Sequence, residues 1–145
     1  MKVYLDNCCF NRPFDDQSHV RILLETEAKL AIQDRIRSGA LDLVWSYVME
    51  LENTANPFED RRTNISTWRS VALVDISESD KIVVRAESLA DLGFRAKDAL
   101  HISCAIEASC QVFLTTDNGI LNKGGLVPEL AIINPVDYDF TDDHD

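Results

Sequence analysis

Residues 97–117 read KDALHISCAIEASCQVFLTTD. From Ala99 to Ala108 this stretch is apolar on nearly every side, with Leu100, Ile102, Cys104, Ala105 and Ile106. That predicts a helix buried all round rather than one with a solvated face. Gln111-Val112-Phe113-Leu114-Thr115 follows at once and reads as a short strand. A buried helix feeding directly into a buried strand is the mark of a parallel sheet covered by helices on both faces.

The same alternation extends outward in both directions. Val3-Tyr4-Leu5 is a first strand, stopped by the turn pair Asp6-Asn7. Residues 7–19 read as a polar loop. From Val20 the pattern becomes helical, with Val20, Leu23, Leu24, Ala28, Ala31 and Ile32 forming the stripe expected to face the core, Ser18 as N-cap and Gly39 as the stop. Leu41 to Trp45 is a second strand, and Ser46 caps a short helix to about Thr54. Asn56-Pro57 breaks it, and Pro57 suits the first position of another helix through the Arg61–Arg69 region. Leu73 to Ile76 is a third strand. Ser79 then precedes an amphipathic helix carrying Ile82, Val83, Ala86, Leu89 and Ala90 and stopped by Gly93. A helical turn follows Asp117, and Leu130 to Ile133 is a last strand, ended by Asn134-Pro135. The expected architecture is a three-layer α/β/α sandwich. Its central parallel sheet has about five strands, that of Asp6 near the middle, joined by right-handed crossovers. Residues 1–135 form one domain, and 136–145 an acidic C-terminal tail.

Composition narrows the function. The 145 residues carry 14 Lys and Arg against 25 Asp and Glu, a formal charge of −11. The excess persists without the tail aspartates Asp137, Asp139, Asp142, Asp143 and Asp145. A broad basic surface for passive nucleic-acid binding is therefore excluded. What remains is solubility, a basic partner or a cation site. No apolar run approaches the ~18 residues of a membrane span, and Met1 to Asp6 has no apolar leader core, so a cytoplasmic protein without a membrane partner is expected. Cys8, Cys9, Cys104 and Cys110 form no CxxC pair, which argues against zinc and for free thiols.

Acids recur where a parallel sheet binds ligands, beyond the carboxyl ends of its strands. Asp6 ends the first strand, Glu50 and Glu52 follow the second, Asp98 opens the buried helix, and Asp117 ends the fourth strand after Thr115-Thr116. Singly, each has a plain structural reading: Asp6 as a turn residue, Asp98 and Asp117 as helix caps, the glutamates on a solvated face. Together, carboxylates converging on one sheet edge repel one another unless a cation neutralises them. Hard oxygen donors without Cys or His suit Mg²⁺ or Mn²⁺. Glu50 and Glu52 lie about 200° apart around a helix, so only one can face a shared site. His101, three residues after Asp98, is expected to pack or hydrogen-bond rather than bind metal.

The ordered set Val3-Tyr4-Leu5-Asp6-Asn7, Val44-Trp45-Ser46 with Glu52-Asn53, Lys97-Asp98-Ala99-Leu100-His101-Ile102 and Leu114-Thr115-Thr116-Asp117 resembles the PIN-domain family. Its members are ribonuclease toxins of prokaryotic toxin–antitoxin pairs and RNA-processing factors. The resemblance runs from residue 3 to about 134. It implies an acidic quartet of Asp6, Glu52, Asp98 and Asp117, with Asp6 shared between two divalent ions ~3.5–4 Å apart, Asp98 completing one site, Asp117 the other or an outer shell, and Glu52 holding metal or orienting water. It implies Mg²⁺- or Mn²⁺-dependent endonucleolytic hydrolysis of RNA, leaving 5′-phosphate and 3′-hydroxyl ends. The implied partners are RNA, an antitoxin protein and a second copy of the chain. Asn7 and Ser46 are expected to support the acids, and Thr116 to hold Asp117 or a phosphate. Phosphate contacts are expected from Arg95 and Lys97, beside Asp98, before Arg12, Arg61, Arg62 or Arg69. The alternative is a catalytically weak or inactive PIN-like module that binds RNA or protein. A receiver domain wants an acidic pair ending the first strand, and a haloacid-dehalogenase-type phosphatase wants Asp-x-Asp. This chain has Asp6-Asn7-Cys8. No GxGxxG or GxxxxGK[ST] is present.

Overall fold

The computed structural model describes residues 1–139. β1 (Lys2–Leu5) leads into α1 (Asn7–Asn11), a 3-10 turn (Arg12–Phe14) and the long α2 (Val20–Arg37). Then come β2 (Asp42–Ser46), α3 (Tyr47–Thr54), α4 (Glu59–Ser66), a 3-10 turn (Thr67–Val71), β3 (Val74–Ile76), α5 (Asp80–Asp91) and α6 (Ala96–Glu107). β4 (Val112–Leu114), α7 (Asn118–Leu121), a 3-10 turn (Gly124–Leu126), β5 (Ala131–Ile133) and a last 3-10 turn (Pro135–Asp137) complete it. The strands form one parallel sheet in the order β3-β2-β1-β4-β5. All five expected strands are present, and that of Asp6 is central. The chain winds from β1 to β3 on one side, then crosses back to place β4 against the other side of β1. The strand order therefore reverses between β1 and β4, which is where such sheets bind ligands.

The predicted burial of the Ala99–Ala108 segment holds. α6 buries Ala99, His101, Ile102, Ser103, Cys104 and Ala105, and Ser103 Oγ donates to the Ile82 carbonyl of α5 at 2.7 Å. Tyr4 of β1 stacks on Phe113 of β4, centroids 5.2 Å apart and 7° from parallel, a pairing that adds about 0.5–1.5 kcal/mol to the burial itself. Ser46 and Ser79 cap α3 and α5, accepting from Met49 N and Ile82 N. Gly39 and Gly93 follow α2 and α5 at φ +84° and +105°, a backbone that side chains disfavour.

Four expectations are corrected. Residues 7–19 are not all loop, because Asp6 caps α1 and the Arg12–Phe14 turn continues it. α2 is capped at His19 without a side-chain bond, not at Ser18. Pro57 lies outside α4, which starts at Glu59. Most importantly, α2 is rotated away from its expected face. Val20, Leu23 and Leu24 are 71%, 40% and 47% exposed, while Glu25, Thr26, Lys29 and Gln33 are buried with Ile32 and Ile36. The reason is the 3-10 turn after α1, where Arg12 Nε donates to Glu25 Oε1 at 2.9 Å. Arg21 Nε and Asn134 Nδ2 donate to Glu25 Oε2 at 3.2 and 2.5 Å. A buried carboxylate with three donors is tolerable where an unpaired one is not. Lys29 sits with its ammonium 5.6 Å from the Phe10 ring centroid, and burial pushes its pKa down to about 8.

The expected boundary at residue 135 falls in the last 3-10 turn. Beyond it Tyr138 is buried, its hydroxyl 3.7 Å from Met1 Sδ. The remaining six residues of the acidic tail, 140–145, lie outside the described residues. Among the described residues no helix is long and apolar enough to cross a membrane.

Candidate active site

Asp6 is the first residue past β1, and its backbone closes the ladder: its N–H donates to the Leu114 carbonyl at 2.9 Å. Oδ1 accepts the Asn7 N–H at 2.8 Å. Oδ2 accepts the Thr115 hydroxyl at 2.8 Å and the Cys8 thiol at 3.5 Å. Thr115 Oγ1 in turn accepts the Asp117 N–H at 3.1 Å. One carboxylate thus locks together the ends of β1 and β4 at the switch point. Asp6 does make the plain turn-and-cap contact, and Oδ1, with one bond accepted, still has lone-pair capacity.

A buried hydrogen-bonded chain fixes Glu52. Ser46 Oγ lies 2.6 Å from Tyr4 Oη, Tyr4 Oη lies 2.5 Å from His101 Nδ1, and His101 Nε2 lies 2.7 Å from Glu52 Oε1. Burial, first of all, holds the Tyr4 phenol well above its ordinary pKa, so it stays protonated. The consistent assignment has Met49 N–H donating to Ser46, Ser46 to Tyr4, Tyr4 to Nδ1, and the Nε2 proton to Glu52. Burial alone would raise the Glu52 pKa, but the His101 bond, the Lys97 charge and an amide bond from Asn7 outweigh it and hold the carboxyl low. Glu50 points elsewhere: its Oε2 accepts Trp45 Nε1 at 3.1 Å and lies 3.7 Å from Arg69 Nη1.

Asp98 lies in the first turn of α6 without capping it; the cap is Arg95, which makes no side-chain cap bond. Its carboxyl is held above the ordinary aspartate range, first by burial and then by the charges of Asp6 and Asp117. Asp117 does cap α7, Oδ1 accepting from Gly119 N at 2.7 Å and Ile120 N at 3.4 Å. Asp98, Asp117, Arg95 and Lys123 line one cleft of about 190 Å³. Lys97 lies on the other flank, in a groove with Asn7 and Glu52. The two cations of Arg95-Ala96-Lys97 therefore line different depressions, Arg95 with Asp98 and Asp117, Lys97 with Glu52. Thr116 is 3% exposed; its N–H faces Cys8 Sγ at 3.3 Å, and its carbonyl accepts Arg21 Nη2 at 2.8 Å.

The donor set fits a divalent cation. One ligand atom each from Asp6, Glu52 and His101 lies within 4.8 Å of the others. The His101 nitrogen of that trio spends its proton on Glu52, so the ligands available are carboxylate oxygens, the set preferred by Mg²⁺ and Mn²⁺. Sequence reasoning passed over Tyr4, Thr115 and Cys8. The signal for Tyr4 was its period-2 relation to Asp6, which puts both side chains on one side of the strand.

No family model matches the chain, and no curated protein matches it by sequence. Among solved structures there is likeness. A chain of the crystal structure of VapBC2 from Rickettsia felis, bound to a DNA fragment from its promoter, superposes with a TM-score of 0.58 at 15% identity, over 96% of this chain and 100% of that one. At that identity the likeness concerns architecture, and it agrees with the all-parallel five-stranded sheet: the chain has a PIN-like α/β fold.

Proposed function

We propose that this protein is a divalent-metal-dependent endoribonuclease whose site is Asp6, Glu52, Asp98 and Asp117. The observation that carries this is geometric: Asp6, which ties the end of β1 to Thr115 after β4, and Glu52, aimed by His101, bring carboxylate oxygens within 4.8 Å of each other at the switch point, while Asp98, not used as a cap, and Asp117 line one cleft. A structural role would favour neutralisation by a lysine or arginine contact, as Glu25 receives. Asp6 and Glu52, whose oxygens lie within 4.8 Å of each other, would hold the metal with Asp98 and Asp117, which stand outside that group and line one cleft; Glu52, oriented by His101, would otherwise position the attacking water. A bound Mg²⁺ or Mn²⁺ neutralises phosphoryl charge and lowers the pKa of water. Arg95 and Lys97 bring the phosphate backbone to a surface that otherwise repels it, Asn7 and Ser46 brace the acids, and Thr116 supports the loop of Asp117. The likeness to a VapBC2 chain supports a second reading at the level of biology, a toxin held by an antitoxin protein.

The test is a labelled RNA panel with wild type and Asp98→Asn in parallel, with Mg²⁺, Mn²⁺ and EDTA. Cleavage that requires metal and is lost in Asp98→Asn is the expected result. Equal cleavage by both proteins, or none by wild type, sinks the proposal and favours the non-catalytic module.

A further inference from the structure

A groove of about 340 Å³ opens from Glu52 away from the Asp98 cleft. Its size falls in the ~300–1,000 Å³ range of small-ligand sites. Three features set it apart from an ordinary surface depression. First, Phe58 stands at its outer end 56% exposed. The Arg61 guanidinium backs the ring, 4.6 Å from its centroid. Arg61 is itself held by Asp15 at 3.1 Å and by the Phe14 carbonyl at 2.7 Å. It is therefore a brace for the aromatic ring rather than a free phosphate clamp. Second, a ladder of side-chain amides runs inward along the groove. Phe58 N donates to Asn56 Oδ1 at 3.1 Å, Asn56 Nδ2 to Asn11 Oδ1 at 3.2 Å, and Asn11 Nδ2 to Asn7 Oδ1 at 3.2 Å. The amide of Asn7 reaches Glu52. Third, Lys97 lines the same groove beside Glu52.

We propose that Phe58 is a stacking platform for one unpaired base of single-stranded RNA, in the groove that leads to Glu52. This rests on the ribonuclease reading above and names the form of RNA the site accepts. An exposed phenyl ring, pre-set by a cation behind it and by an amide bond to its own N–H, offers a π-face with little ordering left to do. Bases in a duplex keep their faces stacked on one another, so only an unpaired base can use it. Amide groups beside the ring meet base edges, and Lys97 meets the backbone phosphate on the inward side. The arrangement also answers the charge problem. A chain of formal charge −11 gains little from its overall field, whereas stacking depends weakly on that field and tolerates many sequences.

The experiment measures RNA binding by anisotropy in an Asp98→Asn background, which blocks turnover, using a labelled single-stranded octamer and a duplex of the same sequence. Phe58→Ala is expected to weaken single-strand binding by about ten- to hundredfold without changing its salt dependence. Lys97→Ala should flatten that dependence. Phe58→Trp should retain affinity, and its added fluorescence should be quenched by the single strand but not by the duplex, because Trp45 and Trp68 are buried at 0% and 3% exposure. Unchanged affinity in Phe58→Ala, no quenching in Phe58→Trp, or equal binding of duplex and single strand each overturns the platform. The two readings fail separately. Metal-dependent cleavage with an unaltered KM in Phe58→Ala defeats the platform alone. Quenching by single-stranded RNA without any cleavage by wild type defeats the nuclease alone.

Discussion

Replacing Tyr4 by Phe removes one oxygen from the middle of the chain that fixes Glu52. The ring remains, with its stack on Phe113 and its edge contact to His101 at 5.6 Å. The loss is therefore almost purely one of hydrogen bonding. Two groups lose a partner. The Ser46 hydroxyl has another acceptor in reach, the Cys104 thiol, with which it already interacts, and it still accepts Met49 N–H at 3.0 Å. His101 Nδ1 has none among the described contacts and is left as a buried acceptor, which costs about 1–3 kcal/mol. The ring cannot escape by moving its proton to Nδ1, because a bare Nε2 would then face the Glu52 carboxylate at 2.7 Å. Urea unfolding at pH 7 should show a loss of about 1–3 kcal/mol at constant m-value. Nitrogen-15 NMR should show Nδ1 unprotonated and Nε2 protonated in wild type, and the same tautomer kept in Tyr4→Phe. A loss under about 0.5 kcal/mol, or a wild-type proton on Nδ1, would refute the assigned chain.

Three further outcomes follow from the described contacts. Because the folded-state pKa of Asp98 is raised, its contribution is favourable below the unfolded value near 3.8 and is lost as pH rises through the raised value. Asp98→Asn should therefore melt higher than wild type at pH 7 without metal, lose that advantage below about pH 4, and gain less than wild type from millimolar Mn²⁺. Lys29 is depressed from 10.5 to about 8, so its folded-state penalty is full below about pH 8 and is relieved between there and 10.5. Thermal unfolding of Lys29→Met should accordingly show a gain of up to about 3 kcal/mol at pH 7 that shrinks toward pH 10.5. Glu52→Gln should lose RNA cleavage, whereas Glu50→Gln should keep it, with a stability change within about 1 kcal/mol for its exposed pairing to Arg69; kinetics on one RNA with both variants decides between the two glutamates.

The sheet was legible because its strands are short apolar runs cut by turn residues, and because the Ala99–Ala108 run leaves no polar face to solvate. The helical period told only that Glu50 and Glu52 cannot both face one site; the preference for Glu52 came with the family resemblance, and Glu50 contacts Trp45 and Arg69. The orientation of α2 was not legible. Its apolar stripe is real, but which face turns inward depends on Arg12 and Asn134, 13 and 109 residues away from Glu25. No local pattern encodes that triple donor set. The supports of the acidic centre were hidden for a similar reason. Tyr4 reads as any strand aromatic until β2 supplies Ser46 and α6 supplies His101 around its hydroxyl.

The register of β4 against β1 bears on when this centre comes into being. Val3 pairs with Val112 and Leu5 with Leu114, and the Thr115 hydroxyl reaches Asp6 across 109 residues of chain. Contacts of such separation close late and slowly, since the loop entropy must be overcome before they return anything. The four acids enter from four successive segments, and the last follows β4. The Asp6–Thr115 bond therefore exists only when β4 is docked on β1, and a partial unfolding that releases β4 would take from Asp6 both that bond and its ladder bond to Leu114.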